Sequence, residues 1–508
     1  MTPPPSVDLM ADQCADRWLA PIGSKQSLRL AGFGGLVWLL ISQFGRMAGL
    51  LISTVILARL LDVEDFGVFA MASVVTGALM MFRDGGVSTA VVQATNLSQE
   101  QLSTLFWFVQ ILAVILAVLA WLASWPVARL FGENEIATII QVSTVGFLLA
   151  AVGVQHDALL RRNLLFKQLA ALELASVGIS ATIAVILGIA GFGWWALVLQ
   201  RLIQLSAYSL GCWWVCDWRP TFAYKWSAGR ADVKFGADVS GFSLVNYAGR
   251  NADAVIIGLF LGPVAAGLYR KSFELLLGPL LQLAGPLHKT LLPVLSRLVD
   301  DGERYRGAFM LAFVPAFLLL IPPAVTMMVY PQDVVTVLLG PDWLDASPVV
   351  RWLGLSAGTQ LFSSACGTLL LSQGRSRDFL VAGVVGAALT IFSYLVAVPY
   401  GLAVLAATYA CGIAFAYQPW LFWWTGRRGA VSRAALHSAQ ILPGWCAAWS
   451  VLGVICLSPW MTDWAPVIRL VIVAAVTTAM GGLSLLLLGR GRRLIGEVVT
   501  VSTAYWNR

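Results

Sequence analysis

Charged side chains make up only 12% of the 508 residues, about half the roughly 25% of an ordinary soluble domain. That shortage excludes a water-soluble enzyme of this size. Histidine is scarcer still: His156, His288 and His437 are the only three, lie far apart and form no HExxH, which excludes that zinc motif. The seven cysteines fall mostly in apolar runs, so no disulfide framework is expected. Cys212 and Cys216 share a helix face in CWWVC without a His or carboxylate beside them. They read as small apolar filler, not as a metal site. No GxxxxGK[ST] occurs, which removes nucleotide hydrolysis by that route. Gly354 to Gly358 matches GxSxG but falls inside an apolar helix, so it belongs to helix packing and not to an esterase elbow.

What the chain has instead is long apolar runs, with 59% hydrophobic residues. A spanning helix needs about 20 such residues. Fourteen stretches qualify, at about 34–58, 66–92, 102–125, 136–154, 169–190, 192–216, 237–261, 264–284, 308–329, 348–371, 379–399, 402–424, 440–458 and 466–488. The loops between them are too short to fold as separate domains. Residues 1–30 carry Pro3, Pro4, Pro5 and Pro21 but no apolar h-region, so they read as a cytosolic tail and not a signal peptide. The expected organisation is a six-helix bundle over 31–217, a cytosolic linker over 218–236 and a second six-helix bundle over 237–425. Two extra helices and a basic tail fill 426–508. The fold class is an all-α polytopic membrane protein, its two bundles related by a pseudo-two-fold axis.

The net charge of +7 would in a soluble chain suggest nucleic acid, but its placement is that of a membrane protein. With both termini inside, 23 of the 33 basic residues fall in cytoplasmic segments, and the outer loops hold only Arg59 and Arg129, as the positive-inside rule requires. Tryptophans gather at helix ends: Trp121, Trp125, Trp194, Trp195, Trp460 and Trp464 outside, and Trp213, Trp214, Trp423 and Trp424 inside. A weak internal repeat appears at an offset of 200 residues. ARLLDVEDFGVF lies over GLFLGPVAAGLY, matching Leu61 to Leu261, Gly67 to Gly267 and Phe69 to Tyr269 at the turns between helices one and two and between seven and eight.

Eight basic residues remain inside expected spans: Arg46, Arg83, Arg201, Arg250, Arg270, Lys271, Arg351 and Arg469. Asp84, Glu173, Asp253 and Glu274 join them. Each such charge costs about 2.5 to 3.5 kcal/mol at a helix centre unless paired or wet. Arg351 and Arg469 lie near outer helix ends, where snorkelling to headgroups suffices. Arg250 with Asp253 (i, i+3) and Arg270 with Glu274 (i, i+4) can pair on one helix face. Asp84, Asp253 and Glu274 are therefore either structural partners or carboxylates that couple to a proton or sodium gradient. Arg46 and Arg201 have no acid within a turn. Arg46 and Arg250 on helices one and seven, with Arg83 and Arg270 on two and eight, would make a central cleft cationic, and guanidinium suits phosphate through paired hydrogen bonds. Gly85 with Gly86 in helix two and Pro322 with Pro323 in helix nine are expected hinges.

The stretches ARLLDVEDFGVFAMA, DGGVSTAVVQ, ALLRRNLLFKQLA, AVIIGLFLGPVAAGLYRKSFELL and LLPVLSRLVDDGERYR, in this order, resemble the polysaccharide-transporter family of lipid-linked oligosaccharide flippases. That family lies within the multidrug/oligosaccharidyl-lipid/polysaccharide exporter (MOP) superfamily, and the likeness is strongest to its colanic-acid-exporter branch. The resemblance implies a fourteen-helix fold with a cationic cavity opening alternately to each side of the bacterial inner membrane. It implies as substrate an undecaprenyl-diphosphate-linked oligosaccharide repeat unit, turned outward for exopolysaccharide, capsule or O-antigen synthesis, with a polysaccharide polymerase and co-polymerase as further partners and no cofactor. Two family patterns depart here: the Asp-Asn pair of helix seven is Asp253-Ala254, and the Asp-Leu-Gly of helix two is Asp84-Gly85-Gly86. A cation-coupled drug exporter would favour an acidic, aromatic cavity, which the arginines oppose. A polymerase or ligase would need a large outer loop. A peptidoglycan-precursor flippase differs only in substrate.

The charge split generates a direct test of topology. In a cysteine-free background, a cysteine at position 342 should react with a membrane-impermeant maleimide in intact cells. One at position 230 should react only after permeabilisation, and the reverse pattern would invert the assignment.

Overall fold

In hydrocarbon an apolar segment can satisfy its backbone groups only by bonds closed within itself, so runs of this length become helices. The computed structural model describes residues 18, 25–84, 86–94, 97–222, 247, 251–278, 284–461 and 464–487. Among these, all regular structure is helical. The first helices are α1 (Lys25–Leu57), α2 (Val63–Met80), α3 (Val87–Gln93), α4 (Gln99–Phe131), α5 (Asn134–Ser143), α6 (Val145–Arg162), α7 (Phe166–Ile189) and α8 (Trp195–Val215). Then come α9 (Ala252–Ser272), which runs into a π-helical turn at Phe273–Leu277, α10 (Ala284–Arg297), α11 (Gly302–Val329), the short α12 (Pro331–Leu338) and α13 (Ser347–Ser372). The last are α14 (Ser376–Ala397), α15 (Leu402–Cys411), a second π turn at Gly412–Tyr417, α16 (Gln418–Gly426), α17 (Arg433–Leu457) and α18 (Pro466–Leu487).

The chain divides into two compact units, Met1–Gly267 and Leu268–Arg508. In the first, α7 packs on both α1 and α8, α6 on α4 and α8, α3 on α6, and α2 on α5. The segment that leaves α8 is stitched back onto the start of α4. Trp218 Nε1 donates to Gln99 Oε1 at 2.6 Å and the Thr221 amide to Ser103 Oγ at 3.0 Å. The rest of the expected linker, from 223, lies outside the described residues. In the second unit α11 packs on α13, α17 and α18. Phe309, Phe313 and Phe317, spaced at i, i+4, form a buried aromatic row on α11, and Phe317 stacks on Phe362 of α13 with 3.5 Å between ring centroids. Rings so placed bury large apolar area and also gain from ring-to-ring contact.

Among the described residues ten helices are long and apolar enough to cross a membrane, fewer than the expected fourteen. α8 and α13 are long enough but diluted, by Gln200, Arg201 and Gln204 in one and by a run of Ser, Thr and Gly in the other. In α1 the apolar stretch among the described residues is Ile41–Leu57. Most of expected helix seven, before residue 251, lies outside the described residues. Its junction with helix eight falls inside α9: Gly262 has φ 81 and ψ −178, non-helical values that break the helix immediately before Pro263. Only glycine takes such a φ without strain.

The 200-residue repeat has a physical counterpart in this first unit. A Cβ placed on Gly67 would lie 1.8 Å from the carbonyl oxygen of Pro263, and one placed on Gly267 would lie 2.5 Å from that of Val63. Each glycine thus receives the backbone of the other's helix start, a reciprocal contact of the small-residue kind that lets membrane helices approach closely.

Pro322 and Pro323 do not break their helix, since α11 runs through both. Thr326 Oγ1 donates to the Pro322 carbonyl at 2.7 Å, a side-chain bond of the kind that lets membrane helices carry proline.

Gly67→Ala should lower the melting temperature of the detergent-purified protein, because the added methyl meets backbone atoms that cannot rotate away. Gly178→Ala, whose Cβ would meet nothing within 4 Å, should leave it unchanged or raise it by the helix-propensity gain of about 0.5–1 kcal/mol. Equal behaviour of the two variants would remove the close-contact argument.

Candidate functional site

Three of the expected cationic residues come together in the first unit. α1 carries Arg46, the turn after α2 carries Arg83, and α8 carries Arg201. Arg83 and Arg46 both lie close enough to act on the Arg201 guanidinium by like-charge repulsion, so the three share one electrostatic neighbourhood. Arg83 and Arg201 are exposed. Arg201 Nη1 reaches only Gln204 Oε1, at 3.4 Å. Gln200, next to it, donates to Ser53 Oγ of α1 at 2.8 Å and fixes this turn of α8.

Arg46 is not without an acid, as its own helix suggests. Its Nε lies 3.3 Å from Glu173 Oε1 on α7, and its Nη2 donates to Gln43 Oε1 at 2.9 Å. The partner comes from the helix against which α1 packs. Because the Arg46 side chain is still 38% exposed, its remaining donors stay available. One carboxylate thus answers one of three guanidiniums.

Where helix two is expected to bend, the chain breaks between α2 and α3. Gly86 takes φ 70 at the start of α3, and Gly85 lies outside the described residues. Asp84 serves this break: Oδ1 accepts the Gly86 amide at 3.0 Å and Oδ2 accepts Ser88 Oγ at 2.8 Å. Asp253 is buried, but its expected partner Arg250 lies outside the described residues. Arg270 belongs to the second unit, where its Nε lies 2.6 Å from Glu274 and Lys271 Nζ lies 2.8 Å from the same carboxylate. That is the local i, i+4 pairing, and Glu274 sits in the π turn that follows.

Other charges were misread or missed. Arg469 does not snorkel: its Nη2 lies 2.9 Å from Asp333 Oδ1, joining α18 to α12. Asp157 accepts Arg161 Nε at 2.8 Å and the Tyr208 hydroxyl at 2.5 Å. Asp378 takes both Arg375 at 2.8 Å and Arg427 at 3.1 Å, and Arg427 also lies over Trp424 at 3.4 Å. A sequence signal did exist for the first site. Glu173 is an unpaired acid within an expected span, and balancing such acids against Arg46 would have suggested the contact. Among the described residues no group of three or more His, Cys, Asp and Glu could hold a metal ion.

The fold is that of MOP-superfamily transporters. The solved structure of the lipid II flippase MurJ in an inward closed conformation aligns at a TM-score of 0.69 and 13% identity, over 88% of this chain and 98% of that one. An inward-facing multidrug resistance MATE family transporter of the MOP superfamily aligns at 0.59 and 17%, over 80% and 99%. Residues 56–348 match the Polysaccharide biosynthesis protein family, and the chain belongs to it. Among curated proteins it is 27% identical to the succinoglycan biosynthesis transport protein ExoT of Rhizobium meliloti, over 63% of this chain and 65% of ExoT's length. It is 23% identical to the lipopolysaccharide biosynthesis protein WzxC of Escherichia coli, over 69% of this chain and 71% of WzxC. It is a multi-pass membrane protein.

Burial raises the carboxyl of Asp333 above its ordinary range despite the Arg469 charge beside it. A group whose pKa is raised in the fold stabilises it at low pH, and this contribution is lost as the pH rises through the folded value. Arg469→Ala should therefore destabilise at pH 7.5, by up to about 3 kcal/mol for a stripped buried pair, and the deficit should shrink as Asp333 takes up its proton. Asp333→Asn with Arg469→Leu should recover most of the loss. Thermal unfolding followed at pH 7.5 and pH 5 tests both, and a deficit that grows on acidification would refute the account.

Proposed function

We propose that this protein is a flippase that moves an undecaprenyl-diphosphate-linked oligosaccharide repeat unit from the inner to the outer leaflet of the bacterial inner membrane, for synthesis of a surface polysaccharide. The observation that carries this reading is the convergence of Arg46, Arg83 and Arg201 in the first unit, where, among the described residues, Glu173 pairs with Arg46 and neither Arg83 nor Arg201 is in an ion pair. Charges in a membrane helix persist where they are paired or face water. Here pairing covers one, so a wet cavity is the physical setting for the other two. An excess of guanidinium in such a cavity selects an anion with several acceptor oxygens, which a diphosphate supplies. Glu173 holds Arg46 in place between substrates and yields it when the diphosphate arrives. Membership of a polysaccharide biosynthesis family and the names of the curated relatives support a lipid-linked sugar as cargo, and the transporter fold supports translocation without a chemical step.

In this reading both termini are cytoplasmic, 31–217 and 237–425 are the two repeat-related bundles, and the substrate crosses by alternating access. The polysaccharide polymerase and co-polymerase take over the repeat unit on the outer side.

Deleting the gene should make lipid-linked oligosaccharide accumulate while surface polysaccharide disappears. Arg46→Ala should reproduce that phenotype at normal membrane abundance. Arg46→Lys should restore only part of export, because an ammonium cannot make the paired contact. Full export by Arg46→Ala would sink the diphosphate role. Accumulation of peptidoglycan precursor with surface polysaccharide intact would assign the cargo to that pathway instead.

A further inference from the structure

The second unit contains a separate cavity of about 370 Å3 between the start of α12 and the start of α13, lined by Gln332, Leu344, Asp345, Ser347, Arg351 and Trp352 among others. Its size lies within the range of ligand pockets, about 300–1,000 Å3. The positive-inside assignment puts this end of the unit on the outer face.

We infer that this cavity binds a sugar ring of the oligosaccharide at the outer face, an inference that rests on the flippase reading and gives its substrate a second point of contact. A pyranose offers an apolar C–H face and a rim of hydroxyls, each both donor and acceptor. The cavity matches both. Trp352 supplies a rigid aromatic surface with a polar edge. Arg351 supplies donors only, Asp345 acceptors only, and Gln332 one of each kind. Arg351 and Asp345 line the same cavity, yet neither is engaged in an ion pair among the described residues. The Ser347 hydroxyl is buried there without a partner, a state that costs free energy until a partner arrives. The mixed charge disfavours an anionic phospholipid headgroup, since Asp345 would repel the phosphate that Arg351 attracts.

The lip of the cavity is positioned from outside it. Gln332 immediately precedes Asp333, and the Asp333–Arg469 pair fastens α12 to α18. Arg469 is thus a positioning residue, and the last described helix acquires a role that the cationic cluster of the first unit does not require.

Oligosaccharide fragments from partial acid hydrolysis of the source organism's own surface polysaccharide are the probe. They carry no diphosphate, so they report on the outer cavity alone. With the full-length protein in phosphatidylcholine nanodiscs, saturation-transfer NMR should show fragment binding. Trp352→Ala and Arg351→Gln should weaken it at least fivefold, and Arg46→Ala should leave it intact. Should Trp352→Ala fail to fold, the exposed Gln332→Ala provides the same reading with less risk to the core. No binding to the wild-type protein, equal binding by Trp352→Ala or Gln332→Ala, or loss in Arg46→Ala would overturn the proposal. So would displacement of the fragment when phosphatidylglycerol is added to the disc, which would give Arg351 to a lipid headgroup. None of these results bears on accumulation of lipid-linked oligosaccharide in the deletion strain, so the two readings fail separately.

Discussion

An ionised group inside hydrocarbon must find a counter-charge or water, and much of this molecule follows from that one demand. Where a carboxylate is within reach, the pair fastens helices together: Arg46 with Glu173 joins α1 to α7, and Arg469 with Asp333 joins α18 to α12. Arg375 and Arg427 both close on Asp378. Arg375 also donates to the Trp424, Thr425 and Arg428 carbonyls at the end of α16, where a cation is favoured by the helix dipole. The charges left over after this pairing are the ones the proposed diphosphate site draws on. Arg83 and Arg201 are such charges, and they adjoin the partly exposed Arg46.

The periodicity of apolar residues made the helices legible because each helix is determined by its own segment. The α9 break was legible too, since the repeat aligned Gly262-Pro263 with the turn before α2. Ion pairs across helices were not, because they depend on which helices touch. Arg46 looked unpaired along its own helix, and the acid that meets it arrives from α7. Arg469 looked free to reach the headgroups from its place near an outer helix end, and the acid that meets it arrives from α12. Conversely, Arg270 with Glu274 was readable, since an i, i+4 pair requires only one helix. The rule is physical: interactions within about four residues are written locally, whereas those set by tertiary contact require the packing order first. Asp157 was overlooked for a related reason. It lies just past an expected span boundary, but α6 continues to Arg162 and brings Asp157 against Tyr208 of α8.

Chain breaks obey the same demand applied to the backbone. α3 has only seven residues, too few for the intrahelical bonds to dominate its ends. Its amino end is closed by the Asp84 carboxylate on the Gly86 amide. Its carboxyl end is closed by Arg162, which donates to the Val91 and Ala94 carbonyls. Anion at the start and cation at the end is the order that complements the helix dipole. A segment held this way depends on two side chains more than on a continuous ladder. α11 is the opposite case: three prolines interrupt its amide ladder, yet it stays helical because Thr326 takes the Pro322 carbonyl and the aromatic row holds its face. Proline alone is thus a weak sign of movement in this protein. The α2–α3 break differs in kind: a helix end closed by charged side chains beside glycine, next to Arg83, relies on side-chain bonds where α11 relies on packing.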